Sequence, residues 1–413
     1  MMEQLLIACM LLLFTWMIIK TIKQGGSLHI YEPYAWKQKI DRVVIGCLLM
    51  TVLASWLLTT SSVPTASADR MPDMPGMDSS TTGTTTSMST ASSTDSSSTA
   101  STGADFNLTD PTIKQQNQSA VRLMNEQALS PTILPDGTKQ FVLNASTFAW
   151  SLYPGKVMEG WGFNGGIPGS LIRVTVGDQV DIVVNNHLDE PMTVHWHGLQ
   201  VPNAMDGVPG MPNPAIEPNG SFDYKFTVTK QMVGTHWYHS HYDDDFQVDA
   251  GMYGAIIVDD QSATQANQST TATPASPSYD VDKLFMLGAT KVDGADPENV
   301  FTINGKAYPY TPQMDIQKGQ RVLLRLVNAS AEDYHAITLD GYTLTIVAED
   351  GQPLPDPQQV SVVSIAPSET LDVDFTATRA GDWWFHSTIA SELSNPDDTA
   401  DNMGGMMTLI HVK

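Results

Sequence analysis

The sequence predicts an all-β fold, with two β-sandwich domains set behind two N-terminal transmembrane helices and a disordered stalk. Three observations predict it. Apolar and polar residues alternate with a period of two on both sides of a polar linker, as in residues 172–184 and 321–327, the pattern of strands that bury one face. Two nearly unbroken apolar runs, residues 5–19 and 43–58, stand near the N-terminus, each close to the lower length of a spanning helix. Between them and the alternating region lies a long Ser, Thr, Ala and Met stretch.

These features divide the chain into a two-helix anchor (1–60), a Ser/Thr/Met-rich stalk and lead-in (61–137), a first sandwich (138–260), a linker (261–278) and a second sandwich (279–413). With the anchor and stalk set aside, the 413-residue chain keeps room for two domains of ordinary size. Lys20, Lys23, Lys37, Lys39 and Arg42 outnumber Glu32 and Asp41 between the apolar runs. The positive-inside rule puts that loop in the cytoplasm, so the sandwiches are expected outside the cell membrane. The second run also reads as a signal-peptide core before a small-residue cleavage site at Ala66-Ser67-Ala68. Residues 61–103 carry too few bulky apolar groups to offset their ordering entropy. Met71, Met74 and Met77 at the base of this stalk are either solvated linker residues or thioether donors for a cuprous ion.

Asp and Glu outnumber Lys and Arg 45 to 21, which disfavours nucleic acid as a partner and favours cations. The two cysteines, Cys9 and Cys47, both fall in the apolar runs. The sandwiches therefore have no disulfide, no thiolate and no zinc-finger pattern.

Ten histidines in 413 residues would give about a quarter of one His-x-His pair by chance, yet two occur, His195/His197 and His239/His241. On a strand, residues i and i+2 share a face roughly 7 Å apart, so each pair offers two imidazoles from a stiff backbone. Neutral imidazole suits zinc, copper, iron and nickel alike, so the donors alone do not choose the metal. Four buried core histidines would instead need four sets of hydrogen-bond partners. His236 has the opposite parity from His239 and reads as a supporting or surface residue.

The stretch His195-Trp196-His197-Gly198, continued by Val201-Pro202-Asn203-Ala204-Met205-Asp206-Gly207-Val208-Pro209-Gly210, resembles the first copper motif of laccases and related multicopper oxidases. Gly234-Thr235-His236-Trp237-Tyr238-His239-Ser240-His241, running on through Gln247 to Gly251-Met252-Tyr253-Gly254, resembles the second motif. The resemblance implies cupredoxin-like (plastocyanin-like) sandwiches and copper as cofactor. It assigns His195 to the type 2 copper, His197, His239 and His241 to the type 3 pair, and Asp206 to proton delivery beside the cluster.

The second half departs from the pattern. Where the family has His-Pro-x-His-x-His-Gly, this chain reads His335-Ala336-Ile337-Thr338-Leu339-Asp340-Gly341, and where it has His-Cys-His, the chain reads His386-Ser387-Thr388. A serine cannot supply the soft ligand of a blue copper site. Residues 321–330 and 348–351 are more similar to the family's non-catalytic middle domain. The resemblance still gives His386 a type 3 role, while His335 reads equally as a ligand or a satisfied surface histidine. Met403, Met406, Met407 and His411 form a soft-ion candidate, although the alternation of residues 407–412 predicts a final core strand.

Two functions follow. One is a copper-dependent oxidoreductase of multicopper oxidase type, oxidising phenols or reduced metal ions with oxygen as acceptor. The other is a cell-surface copper-binding or copper-tolerance module without turnover; a scaffold without metal is disfavoured by the histidine pairs. Self-association of two first domains would present eight histidines to one site.

Overall fold

A computed structural model describes residues 110–210, 213–260, 278–398 and 403–413. The two apolar runs, both cysteines, the methionines of the stalk and most of the linker lie outside the described residues. Among the described residues no helix is long and apolar enough to cross a membrane.

The first element falls inside the stretch predicted as stalk and lead-in. Asp110 accepts a hydrogen bond from the Thr112 N–H at 2.8 Å and Pro111 follows it, so a capped start opens helix α1 over Pro111–Met124. The helix buries Gln116, Ala120, Leu123 and Met124. Its Gln116 amide is then tied to strand backbone, donating to Ala149 O at 2.8 Å and accepting from Ser151 N at 3.0 Å.

The first sandwich packs two sheets. One contains β1 (Thr132–Ile133), β2 (Lys139–Tyr153), β5 (Gln179–Asn186) and β7 (Ser221–Thr227) in that order, with β3 (Lys156–Phe163) also on β2. The other runs β4 (Ile172–Thr175), β9 (Tyr253–Asp259), β8 (Gly234–His239) and β6 (His195–His197). The alternating stretch 172–184 is thus two strands, broken at Gly177, whose φ of +96° suits a tight turn. Their inward residues, among them Ile172, Val174, Val180, Ile182 and Val184, join Trp196, Tyr224 and Tyr238 in one core. Short helix α2 (Asp244–Asp249) follows β8.

The second sandwich has a six-stranded sheet in the order β11 (Val300–Ile303), β10 (Val281–Thr290), β13 (Arg321–Asn328), β18 (Thr370–Thr376), β15 (Leu344–Glu349), β16 (Gln352–Val360). Its other sheet runs β12 (Met314–Ile316), β20 (Met407–Val412), β19 (Gly381–Ser387), β14 (His335–Leu339), β17 (Val363–Ile365). The last strand covers the residues whose alternation predicts it, and Met406 and Met407 are buried in the sandwich interior.

A third apolar cluster lies between the sandwiches, where Trp150, Trp237 and Tyr253 of the first meet Leu284, Met286, Val300 and Val327 of the second. Burying each such side chain contributes about 1.5–3 kcal/mol. Beside it, the Arg325 guanidinium bonds Asp282 at 2.8 Å, Glu126 at 3.1 Å, Asp372 at 3.2 Å and the Thr235 hydroxyl at 2.8 Å. This one side chain of β13 joins both sandwiches and the segment after α1, and it fixes how β8 sits against the second sandwich.

Candidate metal centre

Strands β6 and β8 pair antiparallel, with His195 opposite His239, Trp196 opposite Tyr238 and His197 opposite Trp237. Trp196 and Tyr238 point inward and are fully buried, so the pleat turns the histidines to the other face. On that face the ring centroids of His195 lie 5.6 Å from His197, 5.5 Å from His239 and 5.4 Å from His241. His239 lies 5.6 Å from His197 and 5.8 Å from His241. Trp237 stacks on both His239 (4.3 Å) and His197 (5.2 Å), backing the wall with an indole plane. One ring nitrogen from each of His195, His197 and His239 comes within 4.8 Å of the others.

The surrounding loops fix which nitrogen faces the wall. His195 Nδ1 is 2.7 Å from Asp206 O, and the Asp206 carboxylate is 3.7 Å from the same nitrogen. The loop reaches back this far because Gly207, at φ +80°, takes a place where a Cβ would stand 1.7 Å from Val194 O. Buried Asn213 locks it, accepting from Gly207 N at 3.0 Å and donating to Ala204 O at 2.8 Å. His239 Nδ1 is 2.8 Å from Ser240 O. Ser240 donates in turn to Gln247 of α2 at 2.5 Å, and Gln247 donates to Pro191 O at 3.0 Å. With Nδ1–H donating to a carbonyl in each case, the tautomer this network assigns leaves Nε2 as the basic atom. His239 Nε2 is buried and has no hydrogen-bond partner.

Such an orphan costs stability unless something else occupies it. Burial, reinforced by the neighbouring imidazoles, pushes His239 down to about 3 and His197 down to about 4. Both are neutral at physiological pH, the state in which imidazole ligates a metal. Neutral nitrogens converging on one face, one of them buried and unpartnered, fit a borderline ion such as copper. His241 closes the wall at the rim, its Nδ1 3.8 Å from Asp244.

Family models described as multicopper oxidase match residues 144–263 and, separately, 275–406. The blue copper oxidase of Nitrosomonas europaea is 30% identical, with a TM-score of 0.59 over 66% of this chain and 85% of that one. The chain belongs to the multicopper oxidase family. Copper is accordingly the cofactor that this member's donor set fits, and the fold is the mostly-β, cupredoxin-like architecture of its structural neighbours. Copper resistance protein A of Pseudomonas syringae pv. tomato is 32% identical over 256 residues, 51% of this chain and 41% of the relative. Multicopper oxidase MmcO of Mycobacterium tuberculosis is 32% identical over 246 residues, 51% of this chain and 46% of that protein. The chain therefore spans well under two thirds of the length of these curated relatives.

The structure separates one expected ligand from the wall. His386 was expected with the type 3 ligands. It lies on β19, with Nδ1 2.6 Å from Ser387 O and Nε2 3.3 Å from Asp340. Strand β8 meets β13 and β18 of the six-stranded sheet, whereas β19 belongs to the other sheet. The connectivity of the second sandwich therefore carries His386 away from the wall. His236 is 1% exposed, so it is no surface residue; its Nε2 is 3.0 Å from Met232 O. His335 likewise is fully buried, held between Ser330 Oγ at 2.7 Å and Glu392 at 3.0 Å. His411 pairs with Asp382 at 2.6 Å, and Met403 is exposed, so these residues form no soft-ion cluster with buried Met406 and Met407. Sequence reasoning gave no role to Asn213, Ser240 or Trp237, although the last two lie inside the quoted motif.

Proposed function

We propose that the chain is a copper-dependent oxidoreductase that takes electrons from phenols or reduced metal ions and passes them to oxygen. The single observation that carries this reading is the wall of His195, His197, His239 and His241 with its buried, unpartnered His239 Nε2. Those four are the proposed copper ligands. Bound copper supplies the one-electron chemistry between reductant and oxygen. The chain's own contribution is to hold the imidazoles oriented, those of His197 and His239 also neutral, before metal arrives. Asp206, whose carboxylate is 3.7 Å from His195 Nδ1, is the proposed proton donor at the wall.

One observation favours the second reading, a copper-binding or copper-tolerance module. Ser387 stands at the thiolate position, fully buried, its hydroxyl accepting from Ile389 N at 3.0 Å. Electrons then have no thiolate route and enter at the histidine wall itself or through another chain. The apolar runs at 5–19 and 43–58, with the basic segment between them, support a cell-membrane anchor that places the sandwiches on the extracytoplasmic side. The exposed side of the wall is compatible with a homo-oligomer.

The test is oxygen consumption by the copper-loaded chain with a phenol or cuprous ion, against a matched free-copper control. Uptake above the control that falls on Asp206→Asn, with copper content unchanged, supports the oxidase. No uptake with any of several reductants replaces it with the binding module.

A further inference from the structure

At the far end of α2 from the histidine strand, two carboxylates are buried across the seam between the sandwiches. Asp249 closes α2 in the first sandwich and is 6% exposed. Glu298 lies in the connection from β10 to β11 of the second and is 5% exposed. Among the described residues, no oxygen of either carboxylate has an aligned hydrogen-bond donor. Open acceptors of this kind need a reason, because a carboxylate withdrawn from water without compensation is strongly destabilising.

The surroundings keep the pair dry and close to each other. Val248 beside Asp249 shares the apolar cluster of the seam with Tyr253, Val292 and Val300, and α2 packs on β10. Burial and the neighbouring Glu298 charge push the Asp249 carboxyl up to about 7. Lys291, just past β10, stands 3.2 Å from Asp249 Oδ2, off the line of a hydrogen bond, and is shared with exposed Asp296 at 3.7 Å. Burial would lower the Lys291 ammonium, yet Asp249 and Glu298 together hold it above its usual range. This one ammonium thus faces two buried carboxylates and Asp296, while Asp245 and Glu332 add further negative charge.

We propose that Asp249 and Glu298 bind a structural calcium ion that bridges the two sandwiches beside Lys291. Both donors are carboxylates, the ligands of hard cations rather than of copper. Magnesium demands a near-ideal octahedron, whereas calcium accepts bidentate carboxylates in irregular geometry. Two side chains delivered from separate sandwiches therefore favour calcium, with water completing its shell. The half-buried Lys291 marks the side on which the ion enters. An ion held here also braces the end of α2, two residues past the Gln247 that supports Ser240 behind His239. Calcium has no redox step, so the site does not depend on turnover at the wall.

The test is calorimetry of calcium chloride into the full, metal-free chain, with thermal melting read alongside. At about 0.15 M salt, diffuse attraction to the net charge of −24 is screened. One calcium per chain is expected, with a Kd on the order of 10⁻⁴ M, as in extracellular calcium modules. Tm should rise beyond the change given by sodium chloride of equal ionic strength. Asp249→Asn and Glu298→Gln each remove one charge at nearly constant volume and should weaken binding about tenfold or more. Lys291→Met removes the competing ammonium and should tighten it several-fold, a gain that misfolding cannot produce. Asp382→Asn, at an exposed acid on β19, should leave it unchanged. Binding equal in the parent and both carboxylate variants overturns the proposal. So does the absence of saturable binding, which would leave a shared proton as the group that offsets the pair. Should either carboxylate variant fail to fold, Lys291→Met decides: tighter binding supports the site and unchanged binding overturns it.

Discussion

The two sandwiches treat their histidines in opposite ways. In the first, His239 keeps a buried Nε2 without any partner and stands among three other imidazoles. In the second, each imidazole is matched by an oxygen at both nitrogens: His335 by Ser330 and Glu392, His386 by Ser387 O and Asp340, His411 by Asp382 and Gln313. Both domains match multicopper oxidase family models, but only the first pairs two His-x-His strands. What separates a wall able to take a metal from a set of structural histidines is strand pairing that brings the imidazoles together, and whether the groups around them finish the hydrogen bonding. Asp340 illustrates this: its carboxylate, 3.3 Å from His386 Nε2, satisfies that imidazole.

The largest expected contrast comes from removing imidazoles on each side. His239→Ala with His241→Ala should abolish most copper binding and leave folding intact, since the buried orphan is removed along with the ligand. His335→Ala should leave copper stoichiometry untouched but cost about 3 kcal/mol or more, because it strips Glu392 of its partner in the interior. Copper analysis alongside urea unfolding measures both. Equal copper loss from the two variants would break the comparison.

Next in size is the joint between the sandwiches. Arg325→Met leaves Asp372, Asp282 and Glu126 facing one another without their shared cation, and should lower stability by about 3–5 kcal/mol. A loss below about 1 kcal/mol in urea unfolding would mean that the seam is held by its apolar cluster alone.

Smaller still is the pH dependence of that joint. Burial, with Asp282 nearby, pushes the Glu126 carboxyl up to about 7 against the pull of Arg325 and Arg173. The folded state therefore keeps this proton above the unfolded value of about 4.3. Its contribution to stability is present at low pH and is lost as pH rises from about 4.3 to about 7. Glu126→Gln removes the titration, so the stability of the variant relative to the parent should rise between pH 5 and pH 8, by on the order of 1 kcal/mol. A difference constant over that range would contradict the raised carboxyl.

Much of this was legible because two kinds of signal are local. Period-two alternation marks a strand such as Met407–Val412, whereas Arg321–Asn328 forms a strand buried on both faces, and His-x-His spacing places two imidazoles on one face whatever the rest of the fold does. Helix α1 escaped because its polar sequence has only a narrow apolar side, and its docking depends on Gln116 finding strand backbone far along the chain. His386 escaped for a related reason: the sequence gives its strand, but which sheet that strand joins is a long-range choice. The nearness of Asp249 to Glu298 could not be read at all, since the two approach each other only through the packing of one sandwich on the other.

The claim that a thiolate-free imidazole wall holds the copper is tested most directly by electron paramagnetic resonance and visible absorption on the full chain, dialysed after cupric loading. The account predicts retained copper with nitrogen hyperfine structure from imidazole, lost in the His239→Ala/His241→Ala variant, and no intense thiolate-to-copper band. Copper that washes out on dialysis, or a strong thiolate band that survives in that variant, would contradict it.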